Sequence, residues 1–150
     1  MNAFINNLYI KNNRIFSKYK IEKEYPVIEF SGNIYTGNKI FDENQILDIG
    51  RNKYIGPSGS YDDYIQHSCN PNTKVKVIKT RAFLYSIKTI RPNEEITFDY
   101  STVILDKNLK LECTCKQFSC KKILQSILND EAKYKDYLTK GLIPNFMEIK

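Results

Sequence analysis

Four cysteines and one histidine are the residues whose type and spacing could do chemistry here. Cys113, Cys115 and Cys120 form a C-x-C-x4-C run, and Cys69 sits beside the single histidine in Tyr64-Ile65-Gln66-His67-Ser68-Cys69-Asn70-Pro71-Asn72. Zinc takes thiolate or imidazole ligands in a tetrahedron; the run supplies three from one tight turn, and Cys69 is the obvious fourth. Such a closed shell leaves no position for a catalytic water, so the expected site is structural. The bland alternative is a set of reduced, partly buried thiols. His67 could be a general base, a ligand or a core residue, and the core role is favoured. A second stretch, Glu95-Ile96-Thr97-Phe98-Asp99-Tyr100, lies between Cys69 and the cysteine run.

The rest of the chain must position these groups. With 150 residues it fits one domain with one core, and 41% apolar with 13% aromatic residues argues against disorder. No apolar run approaches the roughly twenty residues that span a bilayer, and Met1-Asn2-Ala3-Phe4-Ile5-Asn6-Asn7 lacks the layout of a leader peptide. An intracellular setting is expected, where thiols stay reduced and clustered cysteines favour a metal over disulfides. The net charge of +6 suggests an acidic partner or a nucleic-acid-rich setting. Because the basic residues are scattered, a plain lysine-rich composition explains it as well. Aromatic residues interleaved with a basic stripe are not evident, which disfavours a zinc-dependent nucleic-acid binder.

Short strands dominate the pattern. Leu8-Tyr9-Ile10 and Arg14-Ile15-Phe16 flank a turn at Lys11-Asn12-Asn13, because asparagine tolerates left-handed conformations. Ile21 to Phe30 leads from a turn into a strand ending at Ser31-Gly32, and Ile90 to Phe98 repeats that layout. Ile46 to Ile55 reads as a hairpin broken at Gly50-Arg51-Asn52-Lys53, followed by an irregular Gly56-Pro57-Ser58-Gly59-Ser60 loop. Val75 to Ile78 and Ala82 to Ile87 form the clearest strand pair. After Cys120 the spacing of Ile123, Leu124, Ile127 and Leu128 predicts a helix. A second helix is predicted from Asp130 to Lys140, capped by Gly141 and ended before Pro144.

The paired stretches followed by C-x-C-x4-C closely resemble the SET-domain protein-lysine methyltransferases with a C-terminal post-SET zinc segment. The likeness covers residues 8–121 and, more loosely, the tail. It implies a mainly β, β-clip-like fold of several short sheets with a knot-like strand crossing, a post-SET zinc site and short helices. The implied divisions are a SET domain over 1–108, a zinc-binding segment over 109–122 and a helical tail over 123–150. The implied activity is S-adenosylmethionine-dependent methyl transfer to a lysine of a protein substrate, such as a histone or another basic protein. In post-SET enzymes the cysteine of H-S-C joins the three C-terminal ones, which implies zinc on Cys69, Cys113, Cys115 and Cys120.

Residue roles follow from the same resemblance. Tyr100 matches the catalytic tyrosine, and Phe98 and, by approximate alignment, Tyr54 match channel walls. Phe98, where other members carry tyrosine, implies di- or trimethylation. Cofactor contacts are implied at Asn12, Asn13, Arg14, Gln66, His67, Tyr100 and Phe118. Two departures stand out: the family's G-x-G becomes Asn12 and Arg14, where glycine would allow close backbone approach, and Gln66 replaces asparagine. Both favour a rival function, an inactive SET-like module that binds protein or nucleic acid, while Tyr100 and Phe98 favour the enzyme. Lysine, with a reference pKa near 10.4, would need an apolar channel and the cofactor's positive charge to favour its neutral form.

Overall fold

The computed structural model describes residues 3–37 and 46–149, so Met1 and Asn2 of the leader argument and the last residue of the tail fall outside it. The chain folds into small sheets around one main core. Strands β1 (Leu8–Lys11) and β2 (Arg14–Ser17) pair antiparallel. Asn12 and Asn13 join them with φ of 52° and 58°, the two left-handed residues that a tight hairpin turn demands. Strand β3 (Pro26–Phe30) precedes β4 (Ile34–Thr36), and β5 (Leu47–Gly50) with β6 (Lys53–Ile55) makes the predicted hairpin. Their sheet runs β4-β6-β5.

Between β3 and β4, Gly32 has φ +113°, and a Cβ there would lie 2.7 Å from the Pro57 carbonyl oxygen. Only glycine allows this close approach. It brings Ser31 beside the following loop, where the Asp62 carboxylate accepts from the Ser31 N–H at 3.0 Å.

Strand β7 (Gln66–His67) is followed by β8 (Thr73–Ile78), β9 (Arg81–Ser86) and β10 (Thr97–Phe98). Strands β3, β9 and β8 form one antiparallel sheet, with side chains alternating between core and surface. Strands β7 and β10 instead pair in parallel, Gln66 opposite Thr97 and His67 opposite Phe98. That pairing, between segments separated by the β8–β9 hairpin, is the crossing around which the site forms. Buried Asn72 staples it: its Nδ2 donates to the Glu95 carbonyl at 2.7 Å, and its Oδ1 accepts from the Thr97 N–H at 3.0 Å. Thr73 Oγ1 adds a bond to the Thr97 carbonyl at 2.7 Å. Leu8, Ile15, Ile28, Ile65, Leu84, Ile90 and Ile96 are fully buried beneath these sheets.

After β11 (Lys110–Glu112) the tail departs from the expected first helix. Ile123–Gln125 is a strand, β12, paired antiparallel with β11 so that Leu111 faces Leu124. Ile123 is exposed and Leu124 buried, the alternation of a strand. The four apolar residues span less than two turns, too short a periodic run to outweigh pairing with β11. A 3-10 turn at Ile127–Asn129 follows, capped by Ser126. The second predicted helix is present as α1 (Glu131–Thr139), N-capped by Asp130, with Gly141 beyond it at φ +70°. It packs Tyr134 against Ile127, Ile143 and Met147 in a satellite core.

Candidate active site and metal centre

Two cavities flank the β7–β10 crossing. One, of about 560 Å³, has mostly apolar walls that include Phe30, Leu47, Ile55, Tyr64, Ile65 and Phe98. The other, of about 540 Å³, is polar and includes Arg14, His67, Asn70, Lys88, Glu95 and Thr97. Gln66, Tyr100 and Leu124 belong to both. Tyr100 therefore stands where a group held in one cavity meets a group held in the other.

Its setting fixes it at three points. The Tyr100 N–H donates to His67 Nδ1 at 3.0 Å, its hydroxyl donates to the Ile65 carbonyl, and its ring lies 4.7 Å from that of Phe98, tilted by 41°. Burial pushes the Tyr100 hydroxyl up to about 12, so it stays protonated at neutral pH. Asp99, the preceding residue, caps the 3-10 turn Tyr100–Val103 by accepting from the Ser101 N–H at 3.0 Å.

The other proposed site residues divide. Phe98 is a wall of the apolar cavity, and Phe30 crosses it edge-on at 5.8 Å. Tyr54 is not a wall: in β6 it alternates with Ile55, and it is Ile55 that faces the cavity. Phe30 and Tyr64, which the sequence did not single out, supply the aromatic surface instead. Gln66 keeps its amide between the cavities, donating to the carbonyls of Asn13 at 3.3 Å and Tyr64 at 3.1 Å. Asn13 borders the apolar cavity rather than the polar one, whereas Arg14 borders the polar cavity and pairs with Glu95 at 3.0 Å. Asn12 forms the turn and borders neither, and Phe118 projects fully into solvent.

Beside the polar cavity, one ligand atom each of His67, Cys69, Cys113 and Cys115 lies within 4.8 Å of the others. Cys69 Sγ and Cys113 Sγ are 3.7 Å apart. Sulfurs on a tetrahedral zinc, with Zn–S of about 2.3 Å, sit about 3.8 Å apart, so this donor set fits the ion. Burial raises the Cys69 and Cys113 thiols, whereas at Cys115 hydrogen bonds from the Gln117 and Cys69 backbone outweigh burial and bring the thiol down to about 6. A thiolate is the form a metal requires.

His67 belongs to the group by proximity rather than as a donor. Burial lowers its pKa, keeping the ring neutral, and Nδ1 is engaged as acceptor to Tyr100. The hydrogen-bond pattern therefore assigns the proton to Nε2, 3.4 Å from Cys69 Sγ. A protonated nitrogen can donate to a thiolate but cannot bind the metal. Cys120 lies outside the 4.8 Å group yet adjoins it, its Sγ 3.9 Å from the Cys113 carbonyl oxygen.

Sequence reasoning missed the groups that hold Asp99. Burial would raise its carboxyl, but the Lys133 ammonium, 2.6 Å from Oδ2, outweighs that and leaves the pKa below its ordinary value. The Tyr137 hydroxyl donates to the same oxygen at 2.9 Å. The four-residue spacing of Lys133 and Tyr137 on α1 was visible; their common target was not.

Similarity to known proteins agrees with this geometry. "Histone-lysine N-methyltransferase trr" of Drosophila melanogaster is 28% identical over 138 residues, covering 78% of this chain and 6% of the relative. "Histone-lysine N-methyltransferase SETD1B" of Homo sapiens is 40% identical over 67 residues, 42% of this chain and 3% of the relative. The chain thus spans only a small part of these proteins. Among solved structures, KRYPTONITE in complex with mCHG DNA and SAH superposes with a TM-score of 0.61 at 28% identity, covering 74% of this chain and 26% of that one. The methyltransferase domain of human SETMAR shares the fold, with a TM-score of 0.59 at 20% identity over 78% of this chain and 56% of that one. The SET domain profile matches residues 9–101, more than half of the 150-residue chain. The chain belongs to the SET-domain family.

Proposed function

We propose that this chain is a protein-lysine N-methyltransferase, with S-adenosylmethionine in the polar cavity and the substrate lysine in the apolar one. The observation that carries this function is the meeting of two cavities of opposite character at Tyr100. KRYPTONITE, whose solved complexes hold SAH and in one case also an H3(1-15) peptide, supports it.

S-adenosylmethionine, when bound, supplies a methyl group on a positively charged sulfur. The chain's own task is to deliver a neutral amine in line with it. The rings of Phe30, Tyr64 and Phe98 disfavour the ammonium by desolvation and orient the side chain through their faces, while Asp48, Asp62, Asp63 and Asp106, which also border the cavity, draw the lysine cation in from solvent. Tyr100, kept protonated, is no general base; its hydroxyl hydrogen is committed to Ile65, which leaves the oxygen lone pairs for the carbon passing between the cavities. Arg14, Lys88 and Glu95 offer charges of both signs to the cofactor's amino-acid end.

The residues suited to hold zinc are Cys69, Cys113, Cys115 and Cys120, the last adjoining the cluster through its contact with the Cys113 carbonyl. The metal would pin the 109–122 segment against the polar cavity, between a SET domain over 1–108 and the tail over 123–150. Among the described residues no helix is long and apolar enough to cross a membrane. The histone-directed relatives favour an intracellular, nuclear substrate, a histone or a similarly basic protein.

Arg14 and Gln66, which stand where the family carries glycine and asparagine, favour a second function: an SET-like module that binds without turnover. Titration calorimetry with S-adenosylmethionine, followed by mass spectrometry of an H3 peptide incubated with both, separates the two. Cofactor binding with methylated peptide is the expected result; absence of both would leave only the binding module.

A further inference from the structure

Beyond the matched residues 9–101, helix α1 returns two side chains to the centre of the site. Lys133 and Tyr137 lie one turn apart, on one helical face. Both reach Oδ2 of Asp99, at 2.6 Å and 2.9 Å, and Lys133 Nζ also donates to Ser101 Oγ at 3.0 Å. Asp99 is only 2% exposed, so its charge needs partners inside the protein. Its other oxygen accepts from Ser101 Oγ at 2.7 Å and the Ser101 N–H at 3.0 Å, and lies 3.6 Å from His67 Nδ1. The helix is anchored at its start as well, because its N-cap Asp130 pairs with Lys121 of the cysteine segment at 2.7 Å.

We propose that Lys133 and Tyr137 are positioning residues: by clamping Asp99 from the tail helix, they fix the backbone of Tyr100 and hence its hydroxyl between the two cavities. Asp99 is covalently joined to Tyr100 and caps the turn that Tyr100 begins, so displacement of the carboxylate moves the tyrosine. Removal of the Lys133 cation leaves a buried carboxylate without its main counter-charge, a condition relieved by opening the turn toward water. Loss of the Tyr137 hydroxyl removes one charge-assisted donor and should act in the same direction, less strongly.

The test uses the full chain loaded with zinc and the variants Lys133→Met, Lys133→Arg and Tyr137→Phe. Backbone amide exchange reports on Tyr100 whether or not the chain is an enzyme. Exchange at Tyr100 and Ser101 should quicken about tenfold in Lys133→Met and severalfold in Tyr137→Phe, with β8 and β9 unchanged and Lys133→Arg close to wild type. Wild-type exchange at Tyr100 in Lys133→Met would overturn the clamp. Equal quickening through β8 and β9 would overturn it too, because the helix would then be a general support.

A second measurement rests on the methyltransferase function. With an H3 peptide, Lys133→Met should lower kcat about tenfold with cofactor Kd and peptide KM changed less than about twofold. An unchanged kcat would count against positioning. A wild-type chain without turnover would sink the methyltransferase function itself and leave amide exchange to decide the clamp.

Discussion

The Tyr100 hydroxyl donates its hydrogen to the carbonyl of Ile65, a residue that enters β7 on the opposite strand of the crossing. Strand pairing thus sets the position of the oxygen on a residue that borders both cavities. Tyr100→Phe deletes that oxygen while retaining the ring that packs 4.7 Å from Phe98. Methyl transfer should slow by about tenfold or more, with cofactor affinity changed less than about twofold, the signature of an interaction made chiefly in the transition state. Single-turnover kinetics beside calorimetry checks it, and wild-type turnover would remove Tyr100 from the mechanism.

Asn72 bonds the backbone of Glu95 and Thr97 with both ends of its amide, and it is 4% exposed. Asn72→Ala leaves a carbonyl and an N–H at the crossing without partners. Unfolding stability should fall by about 2–4 kcal/mol. Denaturant titration of the zinc-loaded protein reads this directly, and a loss within about 0.5 kcal/mol would mean that water or a shifted backbone satisfies both groups.

The thiol cluster should carry about one zinc per chain, lost with chelator or on acidification, since protonated thiols do not bind the ion. The hydrogen-bond pattern gives His67 a proton on the nitrogen facing Cys69, so Cys120 is the expected fourth ligand. Cys120→Ser should therefore weaken zinc retention against a chelator far more than His67→Gln. The reverse order would make the imidazole the ligand.

What the sequence disclosed depended on how local each signal was. The Asn12-Asn13 turn and the Asp130-capped helix are written in adjacent residues, and both are present. Ile123 to Leu128 failed as a helix because the deciding partner, β11, lies a loop away and carries no strong strand pattern of its own. Ile55, not Tyr54, borders the apolar cavity, because one residue of register reverses the face a strand side chain takes. The Lys133–Asp99 pair could not be foreseen, since neither residue type nor spacing tells which carboxylate a helix will meet after folding.

Under the proposed methyltransferase function, Phe98 should set how many methyl groups the apolar cavity accepts. The residue is 4% exposed, its ring crossed edge-on by Phe30 at 5.8 Å and set beside that of Tyr100 at 4.7 Å, so a hydroxyl at its para position would change the polarity of this aromatic wall. A hydroxyl added there would hold a water or occupy the space needed to turn a methylated amine, while phenylalanine leaves that space free. Each further transfer requires the nitrogen to carry its earlier methyl groups and still aim a lone pair along the line of attack. The wild-type chain should therefore give di- or trimethyllysine, and Phe98→Tyr should shift the product toward monomethyllysine with the first transfer slowed less than about threefold. Mass spectrometry after prolonged incubation decides it. A wild-type reaction that stalls at monomethyllysine with cofactor in excess would show that another wall residue, with Tyr64 the nearest in kind, already fills that space.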